Sequence, residues 1–499
     1  MAKNKVFWLA GVVFCVFMVL YALTAQRGVS WQDSGEFQYR LLAGDYYWNS
    51  GIARAHPLYI LLGQGFVALF PLAWKLYACS LFSGVCMALA LAVLFVVVVR
   101  ITASYAAGGV TVMTAGLSHM GWWLSAVAEV YTLSLLFIMV ELLVLLLFTQ
   151  RRTAGYLMLL FAVNGAHFSV HNAALLGLPV YGTLLLMFLM RDFKRNLAGC
   201  CSAVLLWIAA GGMIWWQVVR LLGGGSAVIE VIESILFGDG YRSHVTGIVN
   251  FNAGLFLSNM ALAAVSFVSP CWFLAPAGMR LHKRFANPLF FRALTGLTLI
   301  HLVFWVRYFV PDQVTFVLPL IGVLAIWGGA GCAALQRRFR VKYGLAVVVA
   351  LGLIVNLGFL SVAPLIVKKL QWGVRRSRVL PGRDEVAYWI QPWKQNEGSA
   401  QDFVESVGKV LGSGDILYAD STTAAPLMAA REVVPESFDF ELLSPWSAIE
   451  IELIKDAISR GHFYVVSPVR GYAPEWLLGG RYDFRERAVV KRVLKADSL

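Results

Sequence analysis

The chain has 499 residues, 59% hydrophobic and only 14% charged, and its mean hydropathy is +0.71. A soluble domain carries roughly 25% charged residues, so this composition excludes a soluble globular protein and leaves one built from repeated apolar runs of membrane-crossing length, about 20 residues each. The formal net charge of +13 is confined to the part before residue 371, with 25 Lys+Arg against 10 Asp+Glu, while 371–499 hold 16 against 18; an excess in short loops between apolar runs follows the positive-inside rule, and no basic tail or recognition motif points to nucleic acid.

In chain order, two lysines precede an apolar run from Val6 to about Leu23. It resembles a signal sequence, but no clear small-residue cleavage site follows, so it reads as a retained first helix with a cytoplasmic N-terminus. A polar, aromatic stretch runs from Gln26 to His56. Next, Pro57–Pro71 is apolar but too short for a span, and is expected to lie in the interface. With that segment on the outer surface, the basic clusters at Arg100, Arg151–Arg152, Arg191–Arg195, Arg280–Arg284 and Gln336–Lys342 all fall inside.

The spans are then expected at about 6–24, 76–99, 101–117, 130–149, 154–170, 173–190, 197–219, 256–277, 289–309, 314–335 and 343–365. That makes an α-helical polytopic membrane protein of about eleven transmembrane helices. Continuous rather than alternating apolar runs argue against a barrel. The odd count places the remainder, about 371–499, outside. This tail holds strand-like runs at Asp415–Asp420 and His462–Ser467, the second preceded by an amphipathic stretch, Ala448–Arg460, which predicts a small extracytoplasmic α/β domain. The seven cysteines all lie in apolar segments with no metal-ligand spacing, so no structural disulfide is inferred.

This topology gathers polar residues at the outer loops and helix ends, five of the eight histidines among them. Ionisable residues at membrane depth are costly and often mark function. In Trp31-Gln-Asp-Ser-Gly-Glu36 a spacing of three puts Asp33 and Glu36 on one side of a helix. An Asp there can take a proton from an incoming hydroxyl, and paired carboxylates can hold a divalent cation against a phosphate. The plain alternative is a capping box opening an interfacial helix. His56 opens the interfacial segment before Pro57 and is equally readable as a solvated side chain. Glu129, with Tyr131, enters an apolar span, where it needs a partner, a metal or interfacial water. Arg307 and Asp312 flank Tyr308–Pro311; the arginine can hold a phosphate or anchor a helix end at the headgroups. Tyr241-Arg242-Ser-His244 is a weaker candidate, as is the run through His171 and Asn172. No P-loop, GxGxxG, HExxH or GxSxG context is present.

Four segments carry a resemblance: Asp33-Ser-Gly-Glu-Phe37, His56-Pro-Leu-Tyr59 with Leu62-Gly63, Ala128-Glu-Val-Tyr-Thr-Leu133, and Asp312 with Phe316–Pro319. A looser match is Gly165–Asn172. On these the chain resembles the GT-C superfamily of membrane glycosyltransferases, and more closely its bacterial branch related to a eukaryotic transmembrane protein O-mannosyltransferase. One departure is Leu58-Tyr59 after His56-Pro57, where relatives are expected to have His-Pro-Pro-Gly. The resemblance implies a transmembrane catalytic domain over 1–370, with the first outer loop and interfacial helices at about 25–75, and a separate domain over 371–499. It implies inverting transfer of a sugar from a polyprenyl-phosphate donor to a hydroxyl of a protein, envelope glycan or lipid, at the outer face of a bacterial inner membrane. Asp33 would be the acid/base. Glu36, His56, Glu129, Tyr131, His171, Asn172, Arg242, Arg307 and Asp312 would bind substrate, and Asp33 with Glu129 would hold a magnesium or manganese ion. The competing readings are a transporter or flippase of lipid-linked sugars, for which inverted repeats are missing, and a non-catalytic envelope assembly protein.

Overall fold

The protein is described by a computed structural model covering residues 3–48, 50–238, 242, 251–285, 287–339, 344–371, 379–435, 438–445, 447 and 450–496. Its first elements are α1 (Lys3–Thr24), α2 (Gln32–Ala43), α3 (Pro57–Val67) and α4 (Lys75–Thr102). Among the described residues, seven helices are long and apolar enough to cross a membrane: Asn4–Thr24, Leu72–Thr102, Tyr131–Arg151, Asn172–Arg191, Pro288–Arg307, Gln313–Arg338 and Ala350–Lys369. Two bent pairs raise the count to nine: Phe193–Ala210 with Gly212–Gly223, turning by 68°, and Ala253–Val265 with Pro270–Leu281, turning by 91°.

This is fewer than the eleven spans expected, and the difference lies in two short helices. The helix Tyr105–Gly116 has 12 residues and starts after Ala103, which takes a left-handed φ of 54°. Ala154–Val170 has 17. Both bends fall at helix-weakening residues: the Gly211–Gly212 pair, and Ser269 before Pro270. Hydropathy reads straight through such sites, because the residues are not polar, yet the backbone kinks there.

α4 and Gln313–Arg338 form the interior of the bundle. α1 and Ala350–Lys369 form its rim and expose Phe7, Trp8, Val16, Val19, Ile354 and Leu365 to the lipid layer. α3 is 11 residues long, about 16 Å at 1.5 Å per residue, and cannot cross the layer.

The tail carries the five-stranded sheet. Strands β1 (Ile416–Tyr418), β2 (Glu441–Leu443), β3 (Phe463–Val465), β4 (Tyr482–Arg487) and β5 (Val490–Lys495) lie in the order β2-β1-β3-β5-β4. β1 pairs parallel with β2 and β3, and β5 pairs antiparallel with β3 and β4. The amphipathic stretch forms the helix Ile451–Arg460, packing Ile454, Ala457 and Ile458 against the sheet core.

The tail packs closely on the segment between α1 and α2. Val29 and Trp31 belong to the same apolar cluster as Phe403, Leu417 and Leu427, and Trp31 Nε1 donates to Ser399 Oγ at 2.8 Å. Tyr388, Trp389 and Ile390 join the core of the membrane bundle, where Trp389 stacks on Trp123 with centroids 5.5 Å apart. Packing therefore does not divide at residue 370.

α2 lies against the helix Ser421–Arg431, and Gly35 faces both that helix and the turn before α2. A Cβ at Gly35 would sit 2.1 Å from the Ser30 carbonyl oxygen and 3.2 Å from Ala425 Cβ. Backbone cannot yield as a flexible side chain does, so overpacking of this kind costs about 1–3 kcal/mol. Gly35→Ala is expected to lower thermal stability by that amount and reduce activity with every charged residue intact, as a detergent-solubilised melting curve would show.

Candidate functional site

The site grows from α2. Its N-cap is Trp31, with no side-chain cap bond, so Asp33 and Glu36 do not form the alternative capping box. Gln32 opens the helix with φ 56°. A non-glycine residue in that region costs of order 1 kcal/mol or more and tends to collect at functional sites. Arg383 Nη1 holds the Gln32 side-chain oxygen at 3.2 Å.

One turn along α2, Glu36 is buried and faces two arginines, Arg40 Nη1 at 3.6 Å and Arg54 Nη2 at 3.3 Å. Arg54 Nη2 also lies 3.9 Å from Asp33 Oδ1, and the Asp33 side chain is 52% exposed. Arg40 is fully buried and donates to the carbonyls of Arg54, at 3.0 Å, and Ala55. It thereby pins the loop that aims Arg54 at α2. The same loop ends at His56, a second residue with positive φ (48°). His56 Nδ1 donates to the Val170 carbonyl at 2.9 Å, and its ring stacks on His171 at 5.0 Å. Burial pushes both imidazoles far below their ordinary range, His171 to about 3, so they form a neutral wall rather than a cationic one.

Glu129 sits on the other side of α2. Ser34 Oγ donates to its Oε1 at 2.8 Å. Its backbone is fixed by Ser83, which accepts from Glu129 N at 2.9 Å and donates to Glu129 O at 3.1 Å. Its Oε2 is buried with no hydrogen-bond partner. Burial first, then the neighbouring Asp33, pushes this carboxyl well above the usual carboxylate range.

Two cavities meet at this helix. The first, about 280 Å³, is walled by Asp33, Glu36, Arg54, His56, Tyr131, His171, Asn172 and Asp312 on its polar side, and by Phe37, Leu176, Leu236, Phe237, Phe304 and Phe316 on its apolar side. The second, about 220 Å³, lies toward the tail and is lined by Asp33, Ser34, Glu129, Asp312, Arg383, Tyr388 and Tyr472, among others. Asp33 and Asp312 line both.

Eight of the expected site residues are thus gathered around one helix. Arg307 and Arg242 line neither cavity. Arg307 packs over the Phe309 ring at 5.5 Å. Arg242 is exposed and pairs with Glu233; Tyr241 and His244 lie outside the described residues. The cation beside the carboxylates is Arg54, three residues before Pro57, which no motif singled out. The tail's contribution through Arg383, Tyr388 and Tyr472 was equally silent in the sequence.

Among the described residues no group of three or more His, Cys, Asp or Glu is close enough together to hold a metal ion by itself. Asp33, Glu129 and Asp312 line one cavity, and a magnesium ion usually takes one or two protein carboxylates with waters and substrate phosphates, so Asp33 with Glu129 would hold one only together with a bound phosphate.

Glu36 makes the site pH-sensitive. Burial, opposed by Arg54, raises its carboxyl from about 4.5 to about 7. The folded chain therefore keeps a proton that the unfolded chain has released. The stability this contributes is fully present below about pH 4.5 and is lost as pH rises through about 7. Above that pH the carboxylate also competes for Arg54. We expect the melting temperature to fall as pH rises through about 7, and Glu36→Gln to remove that fall.

The chain superposes with a TM-score of 0.60 on the crystal structure of ArnT from Cupriavidus metallidurans bound to undecaprenyl phosphate, covering 99% of this chain and 98% of that one; at 13% identity the likeness is one of fold. It is also 30% identical over 126 residues to the mouse (Mus musculus) protein O-mannosyl-transferase TMEM260, a match spanning 25% of this chain and 17% of that protein. No protein-family model matches the chain.

Proposed function

We propose that this protein is a glycosyltransferase that moves a sugar from a polyprenyl-phosphate donor to an acceptor hydroxyl, with Asp33 as the general base. The observation that carries the reading is the position of Asp33 at the seam of two cavities, one apolar-walled with Arg54 at its edge, the other polar and facing the tail.

The first cavity suits the donor. Its phenylalanines and leucines accept a prenyl chain, and Arg54, freed as the Glu36 carboxyl takes up a proton, can meet a phosphate with two parallel N–H bonds. The acceptor enters by the second cavity, and its oxygen attacks the anomeric carbon. The bond from that carbon to the phosphate breaks, the polyprenyl phosphate leaves toward Arg54, and Asp33 takes the hydroxyl proton. Attack opposite the leaving group inverts the anomeric centre. A hexose such as mannose and a protein hydroxyl are the finer reading, supported by the partial likeness to the O-mannosyl-transferase. With the N-terminus cytoplasmic, the seam and the tail face outward, as in a bacterial inner-membrane enzyme.

The test is to incubate the purified protein with a panel of polyprenyl-phosphate sugars and measure released polyprenyl phosphate. Turnover of at least one donor is expected; a protein that leaves the whole panel intact is not this enzyme.

A further inference from the structure

The second cavity has a charge and a wall that narrow its occupant. Among the described residues three carboxyl side chains line it, Asp33, Glu129 and Asp312, against one cation, Arg383. That cation is already engaged. Arg383 Nε lies 2.7 Å from Glu385 Oε1 and its Nη2 2.8 Å from Glu385 Oε2, a two-pronged pair, and its Nη1 holds Gln32. A guanidinium used in this way has little left for a phosphate or carboxylate on an incoming acceptor. The described wall of the cavity is therefore net acidic. An anionic group beside these carboxylates is repelled, more strongly near the buried Glu129 than near the half-exposed Asp33.

Glu129 supplies the independent sign of a ligand. It is 5% exposed, and its Oε2 has no partner. A buried carboxyl oxygen left in that state is unfavourable until a donor or a cation arrives.

The aromatic wall speaks against a carbohydrate. Trp123 and Trp389 both reach the cavity, but they stack on each other, 5.5 Å apart and 6° from parallel. Lys394 Nζ lies over the Trp123 ring as well, at 5.4 Å. Trp31 is wholly buried against Phe403. All three indoles are at most 5% exposed, so none of them offers a face for a sugar ring to stack on.

Resting on Asp33 as the base, we infer that the second cavity binds a polypeptide acceptor whose Ser or Thr hydroxyl is flanked by basic residues, and that it rejects acceptors with acidic or phosphorylated flanks. The hydroxyl lies toward Asp33, and the flanking ammonium or guanidinium toward Glu129 Oε2.

The experiment uses the full-length protein with a donor that it turns over. Ser/Thr peptides of one length are compared with Lys, Gln, Glu or phosphoserine beside the hydroxyl, together with an oligosaccharide acceptor. The specificity constant is expected to be at least about tenfold higher for the Lys-flanked than for the Glu-flanked peptide, a factor equal to about 1.4 kcal/mol. Glu129→Gln should erase most of that preference. Thr422→Lys, which adds a positive charge at the cavity's tail-side wall, should shift it toward the Glu-flanked peptide while the melting temperature is retained. Equal rates across the peptides, a preference for the phosphorylated one, or transfer to the oligosaccharide alone would overturn the inference. Release of polyprenyl phosphate is recorded in the same reactions. Release without the peptide preference overturns this inference and leaves the transferase reading standing, whereas no release with any acceptor overturns both.

Discussion

Asp33→Asn is expected to lower sugar transfer by about 10²–10⁴-fold, the range a positioned general base contributes, while expression, membrane insertion and melting temperature stay at the level of the unaltered chain. The side chain is 52% exposed, and its ion pair to Arg54 is a long 3.9 Å. Removing its charge therefore breaks little that holds the fold. Asparagine keeps the shape and loses the basicity, so a large rate loss in a stable protein isolates the proton-accepting role. Transfer at the original rate in Asp33→Asn would remove Asp33 from the chemistry.

The second large effect is expected at Arg54. Arg54→Ala should reduce turnover of a polyprenyl-phosphate donor by about 10²–10³-fold, the loss typical when one preorganised donor to a developing anion is deleted. Part of that loss has a structural route, since Glu36 is then left buried with Arg40 alone at 3.6 Å. The double variant Arg54→Ala/Glu36→Gln separates the two. It should recover the melting temperature and leave donor turnover low. Arg54→Lys keeps the charge but not the planar fork, and should fall between the original chain and Arg54→Ala. A neutral soluble donor analogue should be much less affected than the phosphate-bearing one.

Much of the frame was legible from apolar run length, because crossing a hydrocarbon layer constrains length more tightly than any local propensity does. The tail strands at Ile416–Tyr418 and Phe463–Val465 were legible for a related reason: short apolar runs bounded by turn residues leave few other options. Within the site, Asp33 and Glu36 stood out because helix spacing alone sets them on one side. Arg54 did not, since its partner lies eighteen residues back, and the buried Arg40 that fixes its loop reads in sequence as an ordinary basic residue. Arg307 invited a phosphate-binding role by charge and depth. Its direction, over Phe309, depends on how a helix end packs, which spacing does not encode. The contribution of Arg383 and Tyr388 lies some 350 residues from Asp33 in the chain and follows from tertiary packing only.

The central claim is bond formation at the Asp33 seam, as opposed to movement of an intact lipid-linked sugar. It is tested by reconstituting the full chain in sealed vesicles with a labelled polyprenyl-phosphate sugar and a hydroxyl acceptor, then analysing the sugar's linkage by NMR. The account predicts a new glycosidic bond of inverted anomeric configuration, formed with release of polyprenyl phosphate and lost in Asp33→Asn. Labelled sugar that changes leaflet while still joined to its polyprenyl phosphate, with no new glycosidic bond, would contradict it.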